Sequence, residues 1–254
     1  RLVRLGMPVP RTVALPFPTV RAIALGQMPD LTALLAEFDE DALLSVRPSS
    51  QDPDWGGPGA ILNIGMNDTR HAALSKTLGQ TAATALYVRF LQAYAVHVAH
   101  LDPEEFETDQ TDSATLDRLL TAYKDEADEP FPQDPSRQLA GVLSSMARAW
   151  EGTSARILRE ARGAPADAGL GLVVQEMALG VGAAESGSGV IQFVSSDTGQ
   201  PIVTGRYLSQ SQGRDAIAGT EGAIYLTRDD RGPSLEELCP DVFAELIRIG
   251  GIGR

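Results

Sequence analysis

The sequence predicts an α+β protein built as two α/β lobes with a helical insertion between them. Three observations carry this reading. From about residue 68 to 101, apolar residues recur at three- and four-residue spacing: Ala73, Leu74, Leu78, Ala82, Leu86, Phe90, Leu91 and Tyr94. At Gly169 the period changes, and "GLGLVVQEMAL" is a continuous apolar run of the kind a buried strand carries. Beyond it, short β-rich runs alternate with Gly, Ser and Asp turns.

Taken in order, "LGMPVPRTVALPF" reads as a loop and a short strand from Thr12 to Leu15. "LTALLAEFDEDALLSVR" carries an amphipathic helix and then an apolar strand ending near Arg47, followed by a Gly- and Pro-rich loop through Ala60. The acidic stretch Pro103 to Asp112 is a solvated link or a helix start. "SATLDRLLTAYKDEA" is an amphipathic helix with Ser113 as its N-cap. "PFPQDPSRQ" is a proline-punctuated loop that enters a helix running to about Arg162, with Trp150 on its apolar side. The last helix lies in "SLEELCPDVFAELIRIGG", with Gly250 and Gly251 as its stop. The expected division is therefore residues 1–66 as a first α/β lobe, 67–163 as the helical insertion, and 164–254 as a β-rich lobe.

Bulk composition narrows the function classes. The chain has 254 residues, is 43% hydrophobic and carries a net charge of −13, so it has material for a core and no basic face for a nucleic-acid backbone. No run approaches the 18 or so apolar residues of a membrane span. The N-terminus lacks the apolar centre of a signal peptide, and the single cysteine, Cys239, forms no internal disulfide; the cytosol is the expected compartment. Of 21 basic residues only Lys76 and Lys124 are lysines, and neither lies in a glycine-rich loop.

Individual residues point weakly to chemistry. His97 and His100 share a helix face, but two imidazoles without a carboxylate at useful spacing make no metal site, and a packed or solvated pair is the ordinary reading. Asp39 with Asp41 and Asp52 with Asp54 are carboxylate pairs; turn aspartates more often bond their own backbone. "ESGSGV" (Glu185 to Val190) either cradles an anion on its backbone or forms a hairpin turn. Arg47, beside the loop, is the guanidinium that would fork onto phosphate oxygens if the loop held one.

The order "GMPVP", "LLSVR", Gly-rich loop, "ILNIGMND", "RFLQAYA", "FPQDP", "VVQEMALG", "SGSGV" and "TGRYLSQSQGRDAIAG", closed by a helix, resembles one family through nearly the whole chain. It is similar to the N-terminal nucleotide-binding domain of pyruvate phosphate dikinase, akin to that of phosphoenolpyruvate synthase. The resemblance implies an ATP-grasp-like fold holding ATP with Mg2+ between two lobes, and a domain that phosphorylates a histidine on a separate swivelling domain. A pyruvate- and phosphoenolpyruvate-binding domain then receives the phosphoryl group. No nucleic acid and no membrane enters that scheme.

The resemblance also implies site residues. Arg47 stands at the family's phosphate-contacting arginine and Arg89 at the arginine of its "RRF" helix. Gln175, Glu176 and Met177 stand on the strand and hinge beside adenine. Ser186, Gly187, Ser188 and Gly189 match the "SGTG" turn near the phosphates, and Gln212, with Gly213 and Asp215, keeps part of "NAQGED". Departures accompany these. In Pro48 to Ala60 only Gly56 survives of the family's placed glycines, Gly59-Ala60 replaces an Asp-Thr pair, Gln192 to Ser196 lacks an arginine, and Arg206 replaces a glutamate. The "GGKG"-type lysine loop that precedes "GLPVP" and the "DIEF" and "QTR" segments that follow the last helix do not occur in residues 1–254, so no metal ligand is expected in them. Two expectations follow: an incomplete piece of a phosphotransferase that is inactive alone, or a degenerate binding or regulatory module of the same fold.

Overall fold

The computed structural model describes residues 3–182, 185–211 and 222–253, which divide into two compact units, Pro10–Met177 and Arg1–Val9 with Ala178–Arg254. The larger unit is organised on a four-stranded sheet of β1 (Thr12–Leu15), β2 (Leu44–Ser50), β3 (Ile61–Ile64) and β4 (Leu170–Glu176), in the order β1-β4-β2-β3 with every neighbour antiparallel. Strand alternation sorts the residues. One face buries Leu15, Leu44, Val46, Leu172 and Val174; the other carries Thr12, Ala14, Ser45, Arg47, Val173 and Gln175.

Helices cover the apolar face and build the insertion. They are α1 (Phe17–Ala24), α2 (Leu31–Leu35), α3 (Asp68–Leu78), α4 (Gln80–His97), α5 (Pro103–Phe106), α6 (Ser113–Ala127), α7 (Pro135–Glu151) and α8 (Thr153–Ala161). Their starts are written in the sequence: Asp30, Asn67, Asp102, Asp112 and Asp134 each accept a backbone N–H of the first turn. The insertion's core is aromatic. The Phe131 ring meets Phe90, Tyr94 and Tyr123 edge-on at 5.6, 5.4 and 5.3 Å between centroids. Gly141 makes room for this cluster, since a Cβ there would lie 2.6 Å from the Tyr94 hydroxyl.

The two stretches "ILNIGMND" and "FPQDP" are joined through side-chain amides. Gln138, fully buried, accepts from the Gly65 N–H (2.8 Å) and donates to the Met66 and Pro132 carbonyls (2.8 and 2.7 Å). Gln133 accepts from the Asp68 N–H (2.9 Å) and donates to the Tyr87 hydroxyl (3.1 Å), which itself donates to Asp68 (2.9 Å). Their packing role is therefore sufficient to account for their shape.

In the smaller unit, β5 (Gly187–Val194), β6 (Pro201–Ser209) and β7 (Ile224–Tyr225) form an antiparallel sheet in that order, followed by helices Leu235–Leu238 and Pro240–Gly253. Among the described residues no helix is long and apolar enough to cross a membrane.

The elements differ from expectation in instructive places. The helical pattern from residue 68 is cut at Gly79, whose φ of +90° an L side chain resists. Helix α7 ends at Glu151 and α8 begins at Thr153, so the expected single helix to Arg162 is two. Asp112, not Ser113, caps α6, because its carboxylate reaches the Thr115 N–H at 2.7 Å. Strand β2 runs past Arg47 to Ser50. Strand β4 pairs along its length with β2 and also with β1, so it belongs to the first sheet although the expected boundary at 163/164 separates it from them. Gly250 is buried inside the last helix against the Phe193 ring instead of stopping it.

Candidate functional site

The polar face of the first sheet is where candidate residues gather. Arg47 on β2 pairs with Val173 on β4, and Gln175 pairs with Ser45. Arg47 and Gln175 are thus diagonal neighbours on one face, a relation that sets Cα atoms roughly 7–8 Å apart. Arg47 is exposed and has no hydrogen-bond or ion-pair partner among the described residues. Gln175 donates to the Thr12 hydroxyl at 2.8 Å, and its carbonyl accepts from Ser45 at 3.3 Å. The face can therefore offer a free guanidinium beside a fixed carboxamide.

Glu176 and Met177 are tied down. The Glu176 carboxylate accepts the Asp39 N–H at 2.9 Å, and its own N–H goes to the Arg11 carbonyl at 3.0 Å. The Met177 N–H donates to the Leu43 carbonyl at 2.8 Å, and its sulfur receives the Asn63 N–H at 3.0 Å. The backbone N–H groups of both residues are thus committed within the fold. Asn63, buried with φ of +63°, donates to the Leu86 carbonyl while its Oδ1 lacks a partner.

The loop after Arg47 is organised by its own residues and by α7 and α8. Asp52 accepts the Asp54 N–H at 2.9 Å, and Ser50 donates to the Asp52 carbonyl at 2.8 Å. Gly56 and Gly57 have φ of +76° and +153°. A Cβ on Gly56 would lie 2.8 Å from the Arg162 guanidinium, and one on Gly57 3.4 Å from the Trp150 ring. Trp150 is buried, holds the Arg159 guanidinium 3.7 Å above its ring, and donates to the Ala168 carbonyl at 3.2 Å. The φ of +76° at Gly56 favours glycine there, while the nearby Arg162 guanidinium is the end of an exposed, movable side chain.

Other carboxylate and histidine candidates have local partners. Asp39 pairs with Arg11 at 2.8 Å, and Asp41 pairs with Arg70. His71 shares a hydrogen bond of 2.9 Å with Thr84, while His97 and His100 are exposed beside a small hollow that Pro58 and Gly59 border. Arg89 is exposed on α4. Among the described residues no group of three or more His, Cys, Asp or Glu could hold a metal ion.

In the smaller unit, Gly187, Ser188 and Gly189 lie within β5 rather than in a turn. Both glycines face close cross-strand neighbours. A Cβ on Gly187 would meet the Leu208 carbonyl and the Tyr207 ring, and one on Gly189 the Arg206 carbonyl. Ser186 accepts the Gln210 N–H at 2.7 Å, and the Ser188 hydroxyl donates to the Ser211 carbonyl at 2.9 Å. Glu185 accepts from the Tyr207 and Ser209 hydroxyls at 2.9 and 2.8 Å; burial, then this bond, pushes the Tyr207 phenol up to about 12. Gln212, Gly213 and Asp215 lie outside the described residues.

Thr12, Ser45 and Val173 join the polar face only through strand pairing. A separation of 130 residues between Ser45 and Gln175 leaves no local pattern to reveal it.

No protein-family model matches the chain. It is 32% identical over 242 residues to pyruvate, phosphate dikinase of Rhizobium meliloti, covering 85% of this chain and 27% of that protein. The enzyme of that name from Clostridium symbiosum is 29% identical over 231 residues, covering 83% and 26%. Pyruvate, phosphate dikinase 1, chloroplastic, of Zea mays is 29% identical over 234 residues, covering 85% and 24%. The chain spans about a quarter of the length of these curated relatives.

Proposed function

This chain is a pyruvate, phosphate dikinase-related region, and we propose that it is the ATP-binding part of a dikinase-like phosphotransferase with an ATP-grasp-like fold. In this reading ATP, with Mg2+, donates a phosphoryl group to a histidine on a separate domain, and a further domain passes it to pyruvate. The observation that carries the reading is Arg47, an exposed, unpartnered guanidinium on the polar face of the first sheet, next to Gln175. A guanidinium in that state suits phosphate oxygens, because it loses no existing ion pair on binding.

The residues fit a nucleotide in part. Arg47 can hold and orient phosphate, and Gln175 can fix the ligand's polar edge. Mg2+ typically takes one or two carboxylates plus substrate phosphates. When bound it supplies the charge neutralisation on which phosphoryl transfer depends. That transfer also calls for the family's lysine loop and acidic segment, which residues 1–254 do not include.

A second reading, a non-catalytic nucleotide-binding module, is favoured by the loop from Pro48 to Ala60, whose glycines pack on Trp150 and Arg162. A thermal melt tests the nucleotide site that both readings require. Millimolar Mg2+-ATP should raise Tm by a few degrees, and Arg47→Ala should abolish the rise; an unchanged wild-type Tm at saturating ATP counts against any nucleotide site in these residues.

A further inference from the structure

On the face of β2 opposite Arg47, the larger unit carries a cavity of about 350 Å3 that opens to solvent. Its floor is apolar: Leu35 from α2, Phe38 from the turn that follows, Leu44 from β2 and Ile64 from β3. Phe38, Leu44 and Ile64 are otherwise buried. The size and lining match those of small-molecule sites, which combine an apolar body with a few convergent polar groups. The rim decides the sign of the ligand. The two terminal nitrogens of Arg70 are occupied by the Asp41 carboxylate and by the Glu40 carbonyl at 2.9 Å, and Asp39 is neutralised by Arg11. Glu40 and Asp134 also border the cavity; neither has an ion-pair partner among the described residues, and Asp134 commits one carboxylate oxygen to the Ser136 N–H at 3.0 Å.

We propose that this cavity is a binding site for a small molecule with an apolar body and one ammonium group. The apolar floor takes the body, and the Glu40 and Asp134 carboxylates take the charge. The same wall connects to the end of β4. The Asp39 N–H is held by Glu176 and the Met177 N–H by the Leu43 carbonyl, so an occupied cavity restrains both bonds.

The test is a titration of the whole chain with 2-phenylethylamine at neutral pH, followed by amide NMR, with 3-phenylpropionate as the anion of matched size. The amine should shift resonances from Leu35 to Leu44 and at Ile64 and Arg70, and slow hydrogen exchange at Asp39 and Met177. The acid should bind about tenfold more weakly, as expected for a site whose unpaired charges are negative. Glu40→Gln with Asp134→Asn should weaken the amine about fivefold while preserving the α7 cap, since Asn caps as well as Asp. Leu35→Trp, which fills the floor, should abolish binding. Equal binding of acid and amine, no weakening in the double variant, or an absence of shifts at these residues would each overturn the proposal, and none of these results depends on ATP.

Discussion

Gln138 closes a three-way junction between β3, the loop before α7 and α7 itself, and it does so without exposure to water. Replacing it with leucine strands one N–H and two carbonyls. Each buried orphan costs about 1–3 kcal/mol, so Gln138→Leu should lower unfolding stability by about 3 kcal/mol or more in urea titrations. Adjacent glycines provide a sharper test. Gly250 lies against the Phe193 ring, whereas a Cβ at Gly251 meets nothing within 4 Å. Gly250→Ala should lower Tm, and Gly251→Ala should raise it, with a gain of about 0.5–1 kcal/mol from helix propensity. The sequence presents both as a stop signal; only the position of Phe193, far along the chain, tells them apart. Arg47 is the opposite case, since its side chain needed no tertiary partner to be singled out.

Helices and strands were legible wherever a local cause exists. Strand β1 occupies Thr12–Leu15 as its β-branched and flanking proline pattern predicts, and the amphipathic spacing of α6 yields the observed Ser113–Ala127. The breaks at Gly79 and Gly152 were missed because apolar spacing continues across both. The aromatic packing of α4, α6 and Phe131 carries a pH signature. Burial raises the phenols of Tyr87, Tyr94 and Tyr123, the last to about 12. An unfolded tyrosine titrates near pH 10, so the stability contributed by these neutral phenols is intact below about pH 10 and is lost as pH rises through the folded values. Urea midpoints should therefore fall between about pH 10 and 12, and Tyr123→Phe should flatten that fall. A midpoint independent of pH over this window contradicts the assignment.

Across the molecule the apolar core is unequally shared. Nearly all the buried apolar residues belong to Pro10–Met177; among the described residues of the smaller unit only Leu226 and Leu235 are in that class. Local opening follows such differences. Backbone amides of β5 and β6 should exchange with deuterium well before those of β2 and β4, and equal protection would show that the smaller unit draws stability from elsewhere. The polar face carrying Arg47 and Gln175 belongs to this scale too. Its membership depends on the register of β4 against β1 and β2, which no window of neighbouring residues encodes. That register has a consequence during synthesis. Leu15 pairs with Leu172, so on a ribosome β1 waits for a partner about 160 residues away, roughly 8–30 s at ordinary elongation rates. Throughout that interval two nascent strand edges, β1 and the β4-facing side of β2, stay open to other chains. The protein's yield in a cell should consequently depend on chaperones that shield unfinished sheets, and slowing translation before codon 170 should increase aggregation of the nascent chain more than slowing it after codon 180.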